Sequence, residues 1–187
     1  MAYITGIFQG QAKNVKVGQT KTEKRKIDFD FVLQNNDKNE EKVIHVLLLN
    51  EEAEVNEGEL VRIEGKLELN IWNGNASTKI LSSNTVDVEG ETPEGTISGL
   101  FRGYANYVKE GKTNNDKRKL NCSLGLSAKD DEGTWHNDNI YVTLMNDNEN
   151  IEENTPVGFE GSLSLNTWEK EGELQKSLQL LSYNLAK

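Results

Sequence analysis

The side chains able to hold a polyanion are gathered in two short windows. Lys13, Lys16, Lys21, Lys24, Arg25 and Lys26 fall between residues 13 and 26, against the single acid Glu23. Arg102, Lys109, Lys112, Lys117, Arg118 and Lys119 fall between residues 102 and 119, against Glu110 and Asp116. The other 155 residues carry 9 basic and 28 acidic groups, so a chain of net charge -10 contains islands of +5 and +4. Cations segregated in this way suit backbone phosphates, whose released counterions supply much of the binding free energy. Trp72, Trp135, Trp168, Tyr104, Tyr107, Tyr141 and His45 offer the complementary chemistry, flat rings on which unpaired bases stack at ~1–3 kcal/mol each.

The two windows are copies of one another. ITGIFQGQAKNVKVG at 4–18 returns at an offset of 93 as ISGLFRGYANYVKEG at 97–111, and IEGKLELNIW at 63–72 returns at an offset of 96 as FEGSLSLNTW at 159–168. Shared motifs at both ends mark a duplication, and a period near 95 is that of a small domain rather than of a solenoid. We take residues 1–89 as the first domain, 90–95 as a linker and 96–187 as the second domain. They are referred to below as copy one and copy two.

Within each copy the apolar period is two, the period of strands. Ile27, Phe29, Phe31 and Leu33 share a face, as do Leu120, Cys122, Leu124 and Leu126. Ile44, Val46 and Leu48 match Ile140, Val142 and Leu144, and Leu67, Leu69 and Ile71 match Leu163, Leu165 and Thr167. A fifth strand follows near 79–88 and 177–185, and a short helix is expected over 50–59. Five strands with a helical connection after the third give an all-β fold of two tandem five-stranded Greek-key barrels of the OB type. Such barrels hold oligonucleotides at the loop between strands one and two, where both basic windows fall.

Alternation also orients the rings. Trp72 and Trp168 lie opposite the apolar residues of strand four, beside Lys66, Glu68 and Asn70 or Ser162, Ser164 and Asn166. Tyr141 and His45 take the corresponding outward place on strand three. Phe8, Phe29, Phe31, Phe101 and Phe159 face the cores, and Cys122 is a buried thiol in the place of Phe29. Copy one sets Asp28 and Asp30 on the outward face where copy two has Asn121 and Ser123. Copy two is therefore expected to be the stronger binder.

Catalysis is not expected. One cysteine and two histidines provide neither a disulfide framework nor a transition-metal site, and no Ser/His/Asp or Cys/His set repeats between the copies. Gly111-Lys112-Thr113 lacks the first glycine of a phosphate-binding loop and runs into a turn instead of a helix. No cofactor is implied. No apolar run reaches the 18 or so residues of a membrane span, and no secretory leader is visible, so the expected setting is the cytoplasm.

Gly58 through Leu67, followed by Trp72 and Gly74, resembles the strand-four signature of bacterial and bacteriophage single-stranded-DNA-binding proteins. Trp135-His136 ahead of Ile140-Tyr141-Val142 is similar to the Trp that opens strand three in that family. The resemblance implies a non-enzymatic, sequence-tolerant binder of single-stranded DNA in replication, recombination or repair. It also implies a bacterial cytoplasm, that of the host if the chain is phage-encoded. Its expected contacts are the rings and the cations named above, Lys21 excepted. RNA is a second permitted ligand, because stacking does not sense a 2′-hydroxyl, and a second copy of the chain or replication and recombination proteins are further candidate partners. The competing reading is an acidic OB-fold adaptor, or DNA mimic, that binds a basic protein.

Overall fold

A computed structural model describes residues 1–35, 37 and 39–186, and among them there is no helix. The strands are β1 (Ile4–Gln11), β2 (Lys13–Gln19), β3 (Arg25–Gln34), β4 (Glu41–Leu48), β5 (Leu60–Trp72), β6 (Asn75–Thr85), β7 (Ile97–Lys112), β8 (Arg118–Lys129), β9 (Trp135–Leu144), β10 (Pro156–Lys170) and β11 (Glu173–Leu185). In copy two the pairings run β7–β8–β9–β11–β10 and return to β7, which closes a barrel. Only the β9–β11 pair is parallel. Copy one repeats the order as β2–β3–β4–β6–β5–β1, with β4–β6 parallel. Here the first strand bends at Ala12, so that β1 pairs with β5 and its continuation β2 pairs with β3.

The alternation predicted for the cores holds. Ile27, Phe29, Phe31 and Leu33 are buried, as are Leu120, Cys122, Leu124 and Leu126 and all five phenylalanines. Burial pushes the Cys122 thiol up to about 12, so it stays protonated and inert at neutral pH. The Glu-Gly pairs of the repeated strand-four motif mark a β-bulge between Glu64 and Gly65 and between Glu160 and Gly161. The backbone passes so close there that a Cβ on Gly65 would lie 2.6 Å from the carbonyl oxygen of Leu81. Ser82 and Ser182 each seal the bulge by donating to the Glu64 or Glu160 carbonyl at 2.6 Å.

The helix expected over 50–59 does not form. The Asn50 carboxamide oxygen accepts the amides of Glu52 and Ala53, both at 2.9 Å, as a helix cap would, but the turn is not continued: the Asn56 amide, which a helix would aim at the Glu52 carbonyl, donates to the Glu59 carboxylate at 3.0 Å. Gly58, at φ 78, then turns the chain back onto strand one, where its amide donates to the Ala12 carbonyl at 2.7 Å. Asn154 and Ala105 make the same bond in copy two at 2.7 Å.

The copies share a seam that period-two reasoning does not reveal. β1 pairs with β7 antiparallel from Thr5↔Arg102 to Gln9↔Ser98, centred on Ile7↔Leu100. Those two residues are equivalent at the 93-residue offset, so the seam has a local two-fold axis. Gly6 and Gly99 make the approach feasible. A Cβ on Gly6 would stand 1.8 Å from the Leu100 oxygen, and one on Gly99 1.9 Å from the Ile7 oxygen. Phe8 and Phe101 meet edge to face beneath them, 5.3 Å between ring centroids. The segments leading into the two first strands are also exchanged. Ala2 pairs with Ser127 on β8, and the Gly95 carbonyl accepts the Gln34 amide of β3 at 3.1 Å. Lys42 and Asp138 add an ion pair of 3.0 Å between copies.

Candidate nucleic-acid interface

Strand register brings Tyr141, Trp168, Lys109 and Lys119 of copy two onto one surface. Asn106, Ser123, Tyr141 and Gln179 lie side by side across β7, β8, β9 and β11, and Lys109, Asn121, Thr143 and Leu181 form the next row. Ser164 on β10 continues the first row beside Gln179, and Trp168 stands on the same face four residues further along. That is about 13 Å at strand rise. Tyr141 and Trp168 are exposed, Trp168 at 43%. Lys109 and Lys119 fall on the outward face at one end of this field, while Lys112 and Lys117 flank the hairpin tip. Between the lysine rim and Trp168 the two rows contain no ionised side chain.

Trp135 opens β9 on the same side as Tyr141, half exposed, with the Lys129 ammonium 5.9 Å from its ring centroid. The turn before it is pinned by His136, whose Nε2 lies 2.8 Å from the Asp130 carboxylate. That imidazole, with the amides of Thr134 and Glu132, holds the Asp130 carboxyl below its usual range.

Copy one presents the same rows with different chemistry. Lys13, Asp30, His45, Lys79 and Glu68 lie side by side, as do Lys16, Asp28, Leu47, Leu81 and Lys66. His45 Nδ1 is 2.7 Å from Asp30, Lys26 is 3.2 Å from Asp28, and Glu68 takes Lys66 at 2.6 Å and Lys79 at 3.8 Å. His45 is exposed but already has a carboxylate partner. Trp72, 74% exposed, sits at the tip of the β5–β6 hairpin, where the expected turn at Asn73-Gly74 forms with positive φ at both positions. The equivalent hairpin of copy two turns at Glu171-Gly172, two residues further beyond its Trp.

The two arginines of the Lys-Arg-Lys motifs are directed elsewhere. Arg118 donates to the carbonyls of Asn146, Asp147 and Glu149 and to the Asn150 carboxamide, the shortest bonds being 2.8 Å. Arg25 holds the Asn50 and Ala53 carbonyls in the same way. Each guanidinium thus ties down the loop between the third and fourth strands of its copy, in copy one the loop that stands where a helix was expected, while the flanking Lys24, Lys26, Lys117 and Lys119 are left at the rim. Lys112 pairs with Asp116 at 2.9 Å, and Lys13 lies 4.0 Å from Glu94. Arg102 and Tyr104 are both exposed on the first half of β7; Tyr104, two residues from Asn106, borders the Tyr141 field, and Arg102 lies further along, beside the seam.

Tyr107 occupies a β-bulge between Asn106 and Lys109 at φ 55, the counterpart of Asn14 at φ 54. A bulky residue in the left-handed region costs ~1–2 kcal/mol, and a bulge re-aims the side chain it carries. In copy one the bulge amides of Asn14 and Val15 both donate to Glu57 at 3.0 Å. The Val15 and then the Asn14 bond hold the Glu57 carboxyl below its ordinary range. Tyr107→Gly should therefore leave the thermal midpoint unchanged or raise it, while weakening oligonucleotide binding. Loss of stability with unaltered binding would make the ring a structural element.

Two outward residues of copy two escaped the sequence reading. Gln179 and Leu181 join the field beside Tyr141 and Thr143, and the signal for them was the alternation of buried Leu178 and Leu180 with their exposed neighbours. The adjacent Leu180-Leu181 pair obscured it. Ser123, expected on the surface, is buried beside Tyr141, with no hydrogen-bond partner for its hydroxyl. Among the described residues no group of three or more His, Cys, Asp or Glu side chains is placed to hold a metal, and no helix is long and apolar enough to cross a membrane.

By sequence, no protein-family model and no curated protein matches the chain. By structure, it resembles the wild-type single-stranded DNA binding protein from Thermus aquaticus over 100% of this chain and 92% of that one, with a TM-score of 0.50 at 13% identity. A deletion mutant of the Thermus protein matches with a TM-score of 0.48 at 11% identity, covering 100% of this chain and 94% of that one. The Plasmodium falciparum protein in complex with single-stranded DNA gives 0.38 at 16% identity, covering 52% of this chain and 94% of that one. The fold is thus all-β with a closed barrel of the OB type, as the sequence resemblance implied.

Proposed function

We propose that the chain is a non-enzymatic, sequence-tolerant single-stranded-DNA-binding protein built from two OB-fold barrels, with the boundary between them inside residues 89–95. The reading includes a role in replication, recombination or repair in a bacterial cytoplasm or a phage-infected one. The observation that carries it is the uncharged field of copy two, with Tyr141 and Trp168 exposed on it and Lys109 and Lys119 at its rim. Bases stack on rings without regard to sequence, and lysines at the edge take the backbone. Copy one, whose outward carboxylates are already paired with its own cations, extends the site through Trp72 and the Lys21–Lys24 tip.

Titrating the protein with oligothymidine while following tryptophan fluorescence tests this. Quenching should saturate at low salt, and log K should fall linearly with log salt at roughly -0.7 per phosphate neutralised. Reversing Lys109 and Lys119 together to Glu should weaken every sequence alike and flatten that slope by roughly 1.4. Absence of saturable quenching at low salt, alongside capture of a basic protein, would replace this reading with the adaptor. Growth of the oligonucleotide from one ~4–16-nucleotide footprint to two should raise affinity steeply, because the seam holds the second barrel at high effective concentration.

A further inference from the structure

The local two-fold axis at Ile7 and Leu100 relates two grooves that are filled differently. In copy one, the segment after strand five starts with the Val86 amide on the Arg62 carbonyl at 2.9 Å and then crosses strand one. Gln9 reads its backbone in both directions. Its carboxamide donates to the Glu89 carbonyl at 2.8 Å and accepts the Glu89 amide at 2.9 Å, while the Arg62 guanidinium takes the Glu89 carboxylate at 2.6 Å. Thr92 is held between Gln9 and Ser98. The occupant is an extended acidic stretch, Asp87-Val88-Glu89-Gly90-Glu91-Thr92.

Copy two begins the same course, with the Ala186 amide on the Gly158 carbonyl at 2.8 Å. The groove beyond it is open as a cavity of about 680 Å³. Arg102 stands where copy one has Gln9, Thr5 where it has Ser98, and Gly158 where it has Arg62, so the arginine has moved from strand four to strand one. Tyr3 and Tyr104 wall the cavity, both exposed. We infer that this groove is a docking site for a short extended acidic polypeptide segment, seated as the 87–92 stretch is in copy one, with a carboxylate on Arg102. The chain's own acidic stretch supplies the geometric precedent, and Arg102 supplies the charge complement at the position that reads it. Charge-assisted bonds to a guanidinium are roughly twice as strong as the neutral carboxamide bonds they would replace.

The probe is a fluorescein-labelled peptide of the sequence Val86–Glu94, titrated into the full-length protein at about 0.1 M salt, where the acidic body is screened. Anisotropy should show one saturable site. Arg102→Glu should weaken it about tenfold or more, and Arg102→Gln, the residue of copy one, should weaken it less. A peptide with Glu89 and Glu91 replaced by Gln should lose affinity to the same extent on wild-type protein. Arg102 is exposed, so both variants should retain the wild-type unfolding midpoint, measured alongside. Absence of saturable binding, or equal binding by wild type and Arg102→Glu, overturns the inference. So does displacement of the peptide by a short oligothymidine whose own affinity falls with Arg102→Glu, since the groove would then belong to nucleic acid. The peptide arm does not depend on the outcome of the fluorescence titration with DNA.

Discussion

Gly99→Ala should cost at least ~3 kcal/mol and lower the thermal midpoint by about 6–12 °C, the largest effect expected of any single methyl group in this chain. The added carbon would lie 1.9 Å from the Ile7 carbonyl oxygen, which is part of the backbone and has no rotamer to change. The β1–β7 strands would have to part, which removes the seam hydrogen bonds and loosens the Phe8–Phe101 contact beneath them. Gly6→Ala should act the same way from the other side of the axis. The double variant should fall well short of the sum, because both substitutions break one seam. Gly58→Ala is the control. It has a positive φ and open space, so it reports the conformational cost alone, ~1 kcal/mol. A Gly99→Ala protein no less stable than Gly58→Ala would mean that the copies do not pair through their first strands.

Tyr141→Ala and Trp168→Ala should each weaken short oligothymidine binding by ~1–3 kcal/mol, roughly 5- to 150-fold, with no change in unfolding midpoint. Neither ring contributes to the core, since both are exposed on a face whose buried neighbours are Val142 and Leu165. His45→Ala should be nearly silent, because Asp30 already holds that imidazole. Trp72→Ala should matter little for an oligonucleotide of one footprint and appear only when the strand is long enough to enter copy one. Equal losses from Trp72 and Trp168 on short strands would remove the ranking of the copies. Loss of stability in step with loss of binding would reassign the indoles to the fold.

What could be read from the sequence was what depends on neighbours along the chain. The duplication, the inward faces of Ile27–Leu33 and Leu120–Leu126, and the exposure of Trp72 and Trp168 all follow from motif offset and period two. What could not be read depends on which backbone lies beside which. Gly6 and Gly99 look like ordinary strand residues, and nothing local says that β1 and β7 meet there. The pairing of Asp30 with His45 required the register of β3 against β4 and the rotamers it permits. Arg25 and Arg118 sat in motifs as basic as any phosphate site. Their targets, the carbonyls of 50–53 and 146–149, became visible only once the fold brought those loops against β3 and β8.

The exchanged leading segments bear on how the chain is made. During synthesis, copy one emerges first, and every residue of its barrel is present before residue 98 exists. Its first strand must then wait with the Thr5–Gln9 edge unpaired, Phe8 lacking its partner ring and Ala2 lacking Ser127. An open, partly apolar edge is a template for another chain. Two nascent chains that meet in this interval can pair Ile7 against Ile7, with Gly6 opposite Phe8, through the same two-fold geometry, because Ile7 and Leu100 are equivalent positions. Slow translation through residues 90–102 would lengthen the interval and favour such cross-chain products, so synthesis rate over this stretch becomes a determinant of how much chain closes the β1–β7 seam within itself.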